Sequence, residues 1–311
     1  MATENPLSLA EAKAQMAALN EEARVNWSSP QWRHEAAEVI TEAITEGFDS
    51  ENLVDMLAET ENLSFEGRSF VREVKGMRAF WTSRGGYIEE STIHEETFEI
   101  KRDIIGIHVS EMEEKMETGF GPSAQNLIEL GIRRMAAEIN LKVLRTFQAA
   151  VPSSSAYYTA ASGVSLSTIN TGLREVMDEQ IDGDVVIMGR RTMTDKIVDG
   201  IVNLGSGYGA FLPETNEQLL RQGVLGTYRG ARIVTLRNFK NDTDTAGWFP
   251  ANELWIVGRN ASKFAFFGGP KFKEFVEDDN WFWHYLQKRE FGGVVYRPER
   301  LRRIIDTSQS A

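Results

Sequence analysis

Hydrophobic positions recur along this chain at steps of three or four in some stretches and at alternate residues in others, and the changes between the two predict its elements. From Ile128 the apolar residues Ile132, Met135, Ile139, Val143 and Phe147 keep to one helical face. They predict a long helix over 121–151, opened by Gly121-Pro122 and closed by Pro152 and Ser153-Ser154-Ser155. At a rise of about 1.5 Å per residue, some thirty residues make a rod of about 45 Å.

Upstream the helical signal is thinner. Ser8 and Glu11 stand in capping-box spacing ahead of Leu9, Met16 and Leu19, predicting a short helix over 8–24. A second is expected from His34 to Ile44, stopping at Gly47, and a third from Asp49 or Ser50 through Leu57. None of the three carries enough apolar surface for a core of its own, so they read as an arm leaning on something else.

Downstream, 165–260 reads as a compact α/β unit. A helix over 167–179 carries Ile169, Leu173 and Val176; Asp184 to Met188 is an apolar strand; a helix over 191–204 carries Met193, Ile197 and Ile201. Gly205-Ser206-Gly207-Tyr208-Gly209 then breaks the chain, Leu225 to Gly230 turns it, and Ala231 to Thr235 is a further strand. The remainder predicts strands at Leu254–Val257, Lys263–Phe267, Trp281–Leu286 and Gly293–Tyr296, with Gly268-Gly269-Pro270 breaking into a loop. Asp103 to Val109 alternates as a strand through Ile105, Ile107 and Val109.

The segment between Arg68 and Lys101 is different. Up to the Arg84-Gly85-Gly86 turn it holds Arg68, Arg72, Lys75, Arg78 and Arg84 with a single acid, Glu73; after it come Glu89, Glu90, Glu95, Glu96 and Glu99. A basic strand, a glycine turn and an acidic strand make a hairpin whose cross-strand pairs contribute about 0.2–1 kcal/mol each. Arms of some fifteen residues reach about 50 Å, and with only a few large apolar groups such as Phe80, Trp81, Tyr87 and Phe98 to bury the hairpin is marginal in isolation. It is expected to rest on another surface, in the first place another copy of the chain.

Composition narrows the function. With 311 residues, 41% apolar and 10% aromatic, the chain is long enough for one large or two medium cores. Cysteine is absent, which excludes disulfide frameworks, thiol nucleophiles and zinc-thiolate sites and fits a reducing compartment. No run approaches about eighteen consecutive apolar residues and the N-terminus lacks a signal-peptide layout, so a soluble protein without membrane partners is expected. The net charge of −12 is uneven. Residues 1–65 carry thirteen acids against Lys13, Arg24 and Arg33, whereas Lys288, Arg289, Arg297, Arg300, Arg302 and Arg303 face only Glu290 and Glu299 over 288–303. Complementary ends suggest contacts within or between copies, against the plainer reading of a solvated face. A pI near 5.0 argues against a DNA-binding stripe.

Catalytic chemistry finds little footing. The glycine run at 205–209 follows a helix where a phosphate loop would follow a strand. His34, His94, His108 and His284 stand at no metal-ligand spacing, and each is read as structural or solvent-facing. Neighbouring acids at Glu89-Glu90, Glu95-Glu96 and Asp278-Asp279 point to opposite sides of a strand, and no nucleophile elbow or P-loop motif occurs. Trp281, Phe282, Trp283 and Tyr285 are read as core or interface. No cofactor, metal or catalytic residue is expected.

Element order and several stretches resemble the major capsid proteins of tailed bacteriophages, with the HK-ninety-seven-like fold. Lys75 to Trp81 through Ile88-Glu89-Glu90-Ser91 resembles that family's extended loop, and Asp103 to Ser110 with the helix 121–151 resembles the entry and spine of its peripheral domain. Gly223 to Val234 resembles the turn and strand of its axial domain, and Glu253 to Gly258 with Phe291 to Pro298 its last strands. The resemblance implies an α+β chain: arm 1–65, extended loop 66–101, peripheral domain with spine helix 102–162, axial α/β domain 163–252, and C-terminal peripheral strands with a loop over 253–311.

It further implies hexamers and pentamers closing an icosahedral shell around double-stranded DNA, without sequence-specific contact. A separate scaffolding protein, a portal and decoration proteins would be partners, with assembly in the host bacterial cytoplasm and residence in the virion. The assembly contacts it implies are Arg78, Trp81, Arg84, Glu89, Glu90, Glu95 and Glu96 on the extended loop; Gly205, Gly207 and Gly209 at the axial tip; and Gly268, Gly269, Lys271, Asp278, Asp279 and Asn280 on a loop at the threefold positions. No lysine lies between Lys75 and Lys101, which departs from relatives that cross-link through a lysine there. Two other readings stay open: an encapsulin nanocompartment shell, and an oligomeric soluble enzyme.

Overall fold

The computed structural model describes residues 30–51, 53–76, 90–112, 124–179, 184–205, 227–236, 249–277 and 281–308. Helix α1 (Pro30–Glu51) starts on a proline, whose missing N–H has no partner to lose in a first turn, and a short helix α2 (Val54–Leu57) follows. Strand β1 (Glu59–Leu63) leads to the hairpin strands β2 (Phe70–Lys75) and β3 (His94–Glu99) and then to β4 (Asp103–Met112). The long helix α3 (Ala124–Ala150) is followed by β5 (Tyr158–Ala161), α4 (Leu166–Glu179), β6 (Val185–Arg190), α5 (Arg191–Gly205), β7 (Thr227–Tyr228) and β8 (Ala231–Leu236). The chain closes with β9 (Glu253–Gly258), β10 (Ser262–Glu277), β11 (Phe282–Val295) and β12 (Leu301–Asp306).

These strands form three sheets, in the orders β1-β10-β11-β4, β5-β12-β9-β6-β8-β7 and β2-β3. The six-stranded sheet is buried on both faces, and the period of two divides its side chains between two cores. Val185, Ile187, Leu254, Ile256 and Ile304 pack with Ile169, Leu173 and Val176 of α4 and Met193 and Ile197 of α5. Their neighbours Val186, Met188, Trp255, Val257 and Leu301 join the larger core around α3. Phe147 near the end of α3 is the junction, 5.8 Å from the Trp255 ring and 6.2 Å from Phe264 of the four-stranded sheet.

Several expectations change. The separate helices expected at 34–44 and 49–57 are largely one helix, α1, which runs through Gly47. A glycine costs a helix about 1 kcal/mol, and packing offsets that: Ala36, Ala37, Ile40, Ala43 and Ile44 are buried against α3 and the β10–β11 sheet. The small alanines and Gly131 let the helices approach closely, since a Cβ on Gly131 would come within 2.7 Å of Ile44. The stretch therefore belongs to the core, and is not the thinly attached arm its composition suggested. The helix expected at 8–24 lies outside the described residues.

Gly268-Gly269-Pro270 does not begin a loop. β10 continues through it to Glu277, paired with β11 on both sides of a register shift between Phe267 and Lys271. Gly268 sits at φ +71°, and the shift places Pro270, which has no N–H to give, where the ladder is already interrupted. The α/β sheet also reaches beyond 163–252: β5, β9 and β12 come from either side of that segment and supply half its strands. At Arg229 and Gly230, φ of 50° and 85° make the tight turn that joins β7 to β8.

Candidate assembly surface

The β2–β3 ribbon is hydrogen-bonded to no other sheet among the described residues. Its register pairs Phe70 with Glu99, Val71 with Phe98, Arg72 with Thr97, Glu73 with Glu96, Val74 with Glu95 and Lys75 with His94. Alternation gives it two unlike faces. On one, Glu73 is buried at 7% exposure and Val71 and Phe98 are half-buried. On the other, Phe70 and Val74 are exposed at 45% and 58%, and Ile93, just before β3, at 54%. Large apolar groups held in solvent on a largely charged ribbon make this face a candidate contact surface.

The buried face is fastened at its base. Arg297, ahead of β12, donates from Nε to Glu73 Oε1 at 2.7 Å, and Lys75 Nζ lies 3.0 Å from Glu73 Oε2. Burial alone would raise the Glu73 carboxyl, but the hydrogen bonds from Arg297 and Lys75 outweigh it and hold the group below its ordinary 4.5. The same bond raises Lys75 and Arg297. Beside them, Lys263 and Ser69 converge on Glu61 and lower it too. Arg102 donates to the Phe65 carbonyl at 2.6 Å and to that of Gly67, and the Ile100 amide donates to the Ser69 carbonyl at 3.1 Å. Gly76 at φ +97° ends β2 where a Cβ would meet the Thr92 carbonyl oxygen at 2.2 Å, a position no other residue fits.

A pH dependence follows. Glu61 and Glu73 are both depressed in the folded chain, so the stability they lend is fully present above the ordinary 4.5 and is lost as pH falls through their folded values. The protection of the β2–β3 amides against hydrogen exchange, taken relative to the intrinsic rate at each pH, should fall as the pH drops below about 4.5 while α3 stays protected; equal loosening of α3 would contradict the local origin.

The expected contact residues fall unevenly. Glu90 is exposed ahead of β3; Glu95 and Glu96 are exposed on it, 3.6 Å from Arg72 and from Lys75 respectively. Gly205 is the last residue of α5. Gly268, Gly269 and Lys271 lie in β10, with the Lys271 ammonium 3.4 Å from the centre of the Phe65 ring. Arg78, Trp81, Arg84, Glu89, Gly207, Gly209, Asp278, Asp279 and Asn280 lie outside the described residues.

Sequence reading missed the Glu73–Arg297 clasp, although the signal was there: Glu73 is the one acid in a basic strand. It also missed the exposed side of Phe70 and Val74. The four histidines stand at no metal-ligand spacing in sequence and read there as structural or solvent-facing, but β4–β11 register brings His108 and His284 together with ring nitrogens 3.0 Å apart. The basic C-terminal stretch finds mid-chain acids, Arg297 on Glu73, Arg302 on Glu175 and Arg303 on Glu253.

The family model described as "SPbeta prophage-derived putative capsid protein YonB" matches residues 10–273. No curated protein matches the chain. Among solved structures, the capsid of cyanophage P-SCSP1u is similar at a TM-score of 0.58 and 12% identity over 84% of this chain and 88% of that one. The mature capsid of bacteriophage PhiM1 is similar at 0.57 and 10% identity over 83% and 88%. A virus-like particle from Pyrococcus furiosus is similar at 0.53 and 12% identity over 86% and 98%. These structures share the fold.

Proposed function

The chain belongs to the YonB family of prophage-derived capsid proteins, and on that premise we propose that each copy builds the shell by laying its β2–β3 ribbon over the body of the next. It is a structural protein of the phage capsid shell, with the HK-ninety-seven-like fold. The single observation that carries the ribbon's role is the exposure of Phe70 and Val74 on a two-stranded sheet that, among the described residues, continues into no other. A neighbouring copy covering that face buries both side chains and completes what the hairpin lacks.

In this reading the copies form hexamers and pentamers around packaged double-stranded DNA, held without base-specific contact in a protein of net charge −12. The six-stranded sheet with α4 and α5 is the axial domain, and α3 with the β1-β10-β11-β4 sheet the peripheral one. Arg78, Trp81, Arg84 and Glu89 reach the neighbour from the ribbon's far end, beyond Glu90, Glu95 and Glu96. Gly205, Gly207 and Gly209 lie at the capsomer centre, and Gly268, Gly269, Lys271, Asp278, Asp279 and Asn280 approach the threefold positions. A scaffolding protein, a portal and decoration proteins are the further partners, and assembly takes place in the host cytoplasm. The capsid-family match favours this over the nanocompartment shell and over an enzyme.

Val74→Asp tests it. An exposed substitution changes folding stability by no more than about 0.5 kcal/mol, so the variant should be folded and soluble yet yield free capsomers or subunits in negative-stain micrographs where the unaltered protein yields closed shells. Shells from Val74→Asp in the same yield, or small discrete particles from the unaltered protein, would overturn the reading.

A further inference from the structure

The face of the β10-β11-β4 sheet turned away from α1 and α3 carries the alternate residues Lys271, Lys273, Phe275 and Glu277, then Phe282, His284, Leu286 and Lys288, then Ile104, His108, Ser110 and Met112. At its centre His108 of β4 and His284 of β11 are diagonal neighbours: His108 pairs with Leu286 and His284 with Ser110. Their ring centres are 5.2 Å apart, and His108 Nε2 lies 3.0 Å from His284 Nδ1. From this geometry we propose that His108 and His284 form a two-imidazole pincer for a transition-metal dication of the Cu²⁺, Ni²⁺ and Zn²⁺ class.

The spacing is that of two ligands on one ion. At metal–nitrogen bonds of about 2.0–2.1 Å, two imidazoles span about 2.9 Å at a right angle and about 3.4 Å at the tetrahedral angle, and the observed 3.0 Å falls between. The second ring nitrogen of His284 is placed as metal ligands require. Nε2 faces Glu277 Oε2 at 3.5 Å, a neighbour that favours the tautomer with the proton on Nε2 and a lone pair on Nδ1 toward the gap. The Phe275 ring, stacked on His284 at 4.8 Å and 16°, fixes its orientation. Without metal, one N–H of His108 fills the gap as a hydrogen bond. On binding, that proton moves from His108 Nε2 to Nδ1, both imidazoles stay neutral, and two nitrogen lone pairs meet the ion.

Among the described residues no third histidine, aspartate or glutamate joins them. The ion's other positions therefore open outward to water, and Cu²⁺ is favoured over Ni²⁺ and Zn²⁺ by the general affinity order. The pincer is complete within one copy and needs no shell.

Calorimetric titration of untagged, chelator-stripped protein with CuCl₂ and NiCl₂ tests it. The expected result is saturable binding of one ion per chain, weakened at least about tenfold in His108→Ala and in Glu277→Gln, and unchanged in His94→Ala. Binding by His108→Ala as tight as by the unaltered protein would overturn the proposal. The Cu²⁺ electron paramagnetic resonance spectrum of the unaltered protein gives a readout free of any folding defect: coupling to two imidazole nitrogens is expected, and coupling to fewer overturns it. Both measurements read the metal alone, so their failure would leave shell assembly standing.

Discussion

Phe147→Ala should destabilise the folded chain by about 3–5 kcal/mol in chemical denaturation, the range for truncating a buried aromatic. Phe147 is fully buried, with Trp255 of the six-stranded sheet at 5.8 Å and Phe264 of the four-stranded sheet at 6.2 Å. Phe264 is in turn stacked on Phe291 at 5.5 Å. Its loss leaves a cavity walled by rings fixed in two separate sheets, so neither side can move in without tearing its own ladder. Because the ring ties both sheets to the long helix, the two halves should also cease to unfold together. A loss under about 1 kcal/mol would show that the site collapses freely and that Phe147 is not the junction.

Arg297→Ala should cost about 1–2 kcal/mol and abolish closed shells. Removing the half-buried guanidinium leaves the buried Glu73 carboxylate short of a hydrogen-bond donor, at about 1–3 kcal/mol. Lys75 stays on Glu73 at 3.0 Å and keeps the expected cost at the low end. The larger consequence is geometric: Arg297 precedes β12 of the body and Glu73 lies in the ribbon, so their 2.7 Å bond sets the angle at which the ribbon leaves. Arg297→Lys should restore part of the stability, because the charge remains but the planar fork does not. Circular dichroism and micrographs of the same samples separate the two effects. Normal shell yield from Arg297→Ala would show that the clasp does not aim the ribbon.

The strongly periodic elements are legible in the amino-acid sequence. The stripe from Ile128 to Phe147 predicts a helix over 121–151, and α3 runs Ala124–Ala150; the apolar run expected at 184–188 falls in β6, and of the turn expected at 225–230 the described part holds β7 and the Arg229-Gly230 turn into β8. These segments carry their periodicity in their own side chains. What fails to show depends on distant partners. β12 is missed because its Arg302 and Arg303 resemble a solvated end, while their charges are taken up by Glu175 and Glu253. α1 is divided at Gly47 because local propensity cannot register burial on α3. β10 is ended at Gly268 because a bulge and a break look alike without the register of β11. His108 and His284 are invisible as a pair for the same reason, since only strand pairing brings them to 3.0 Å.

The pairing of β2 with β3 is recognisable from the charge pattern, and the proposal that the ribbon rests on a neighbour starts from its poverty of apolar groups. Which face is exposed is not legible, because the placement of Glu73 inward and of Phe70 and Val74 outward goes with the bond to Arg297, more than two hundred residues away.

Hydrogen exchange across residues 70–99, compared between assembled shells and dissociated subunits of the same preparation, tests the central claim most directly. The amides of β2 and β3 should be markedly better protected in the shell than in the subunit, with α3 alike in both. Equal protection of the ribbon in the two states would mean that each copy orders its own hairpin, and would contradict the account.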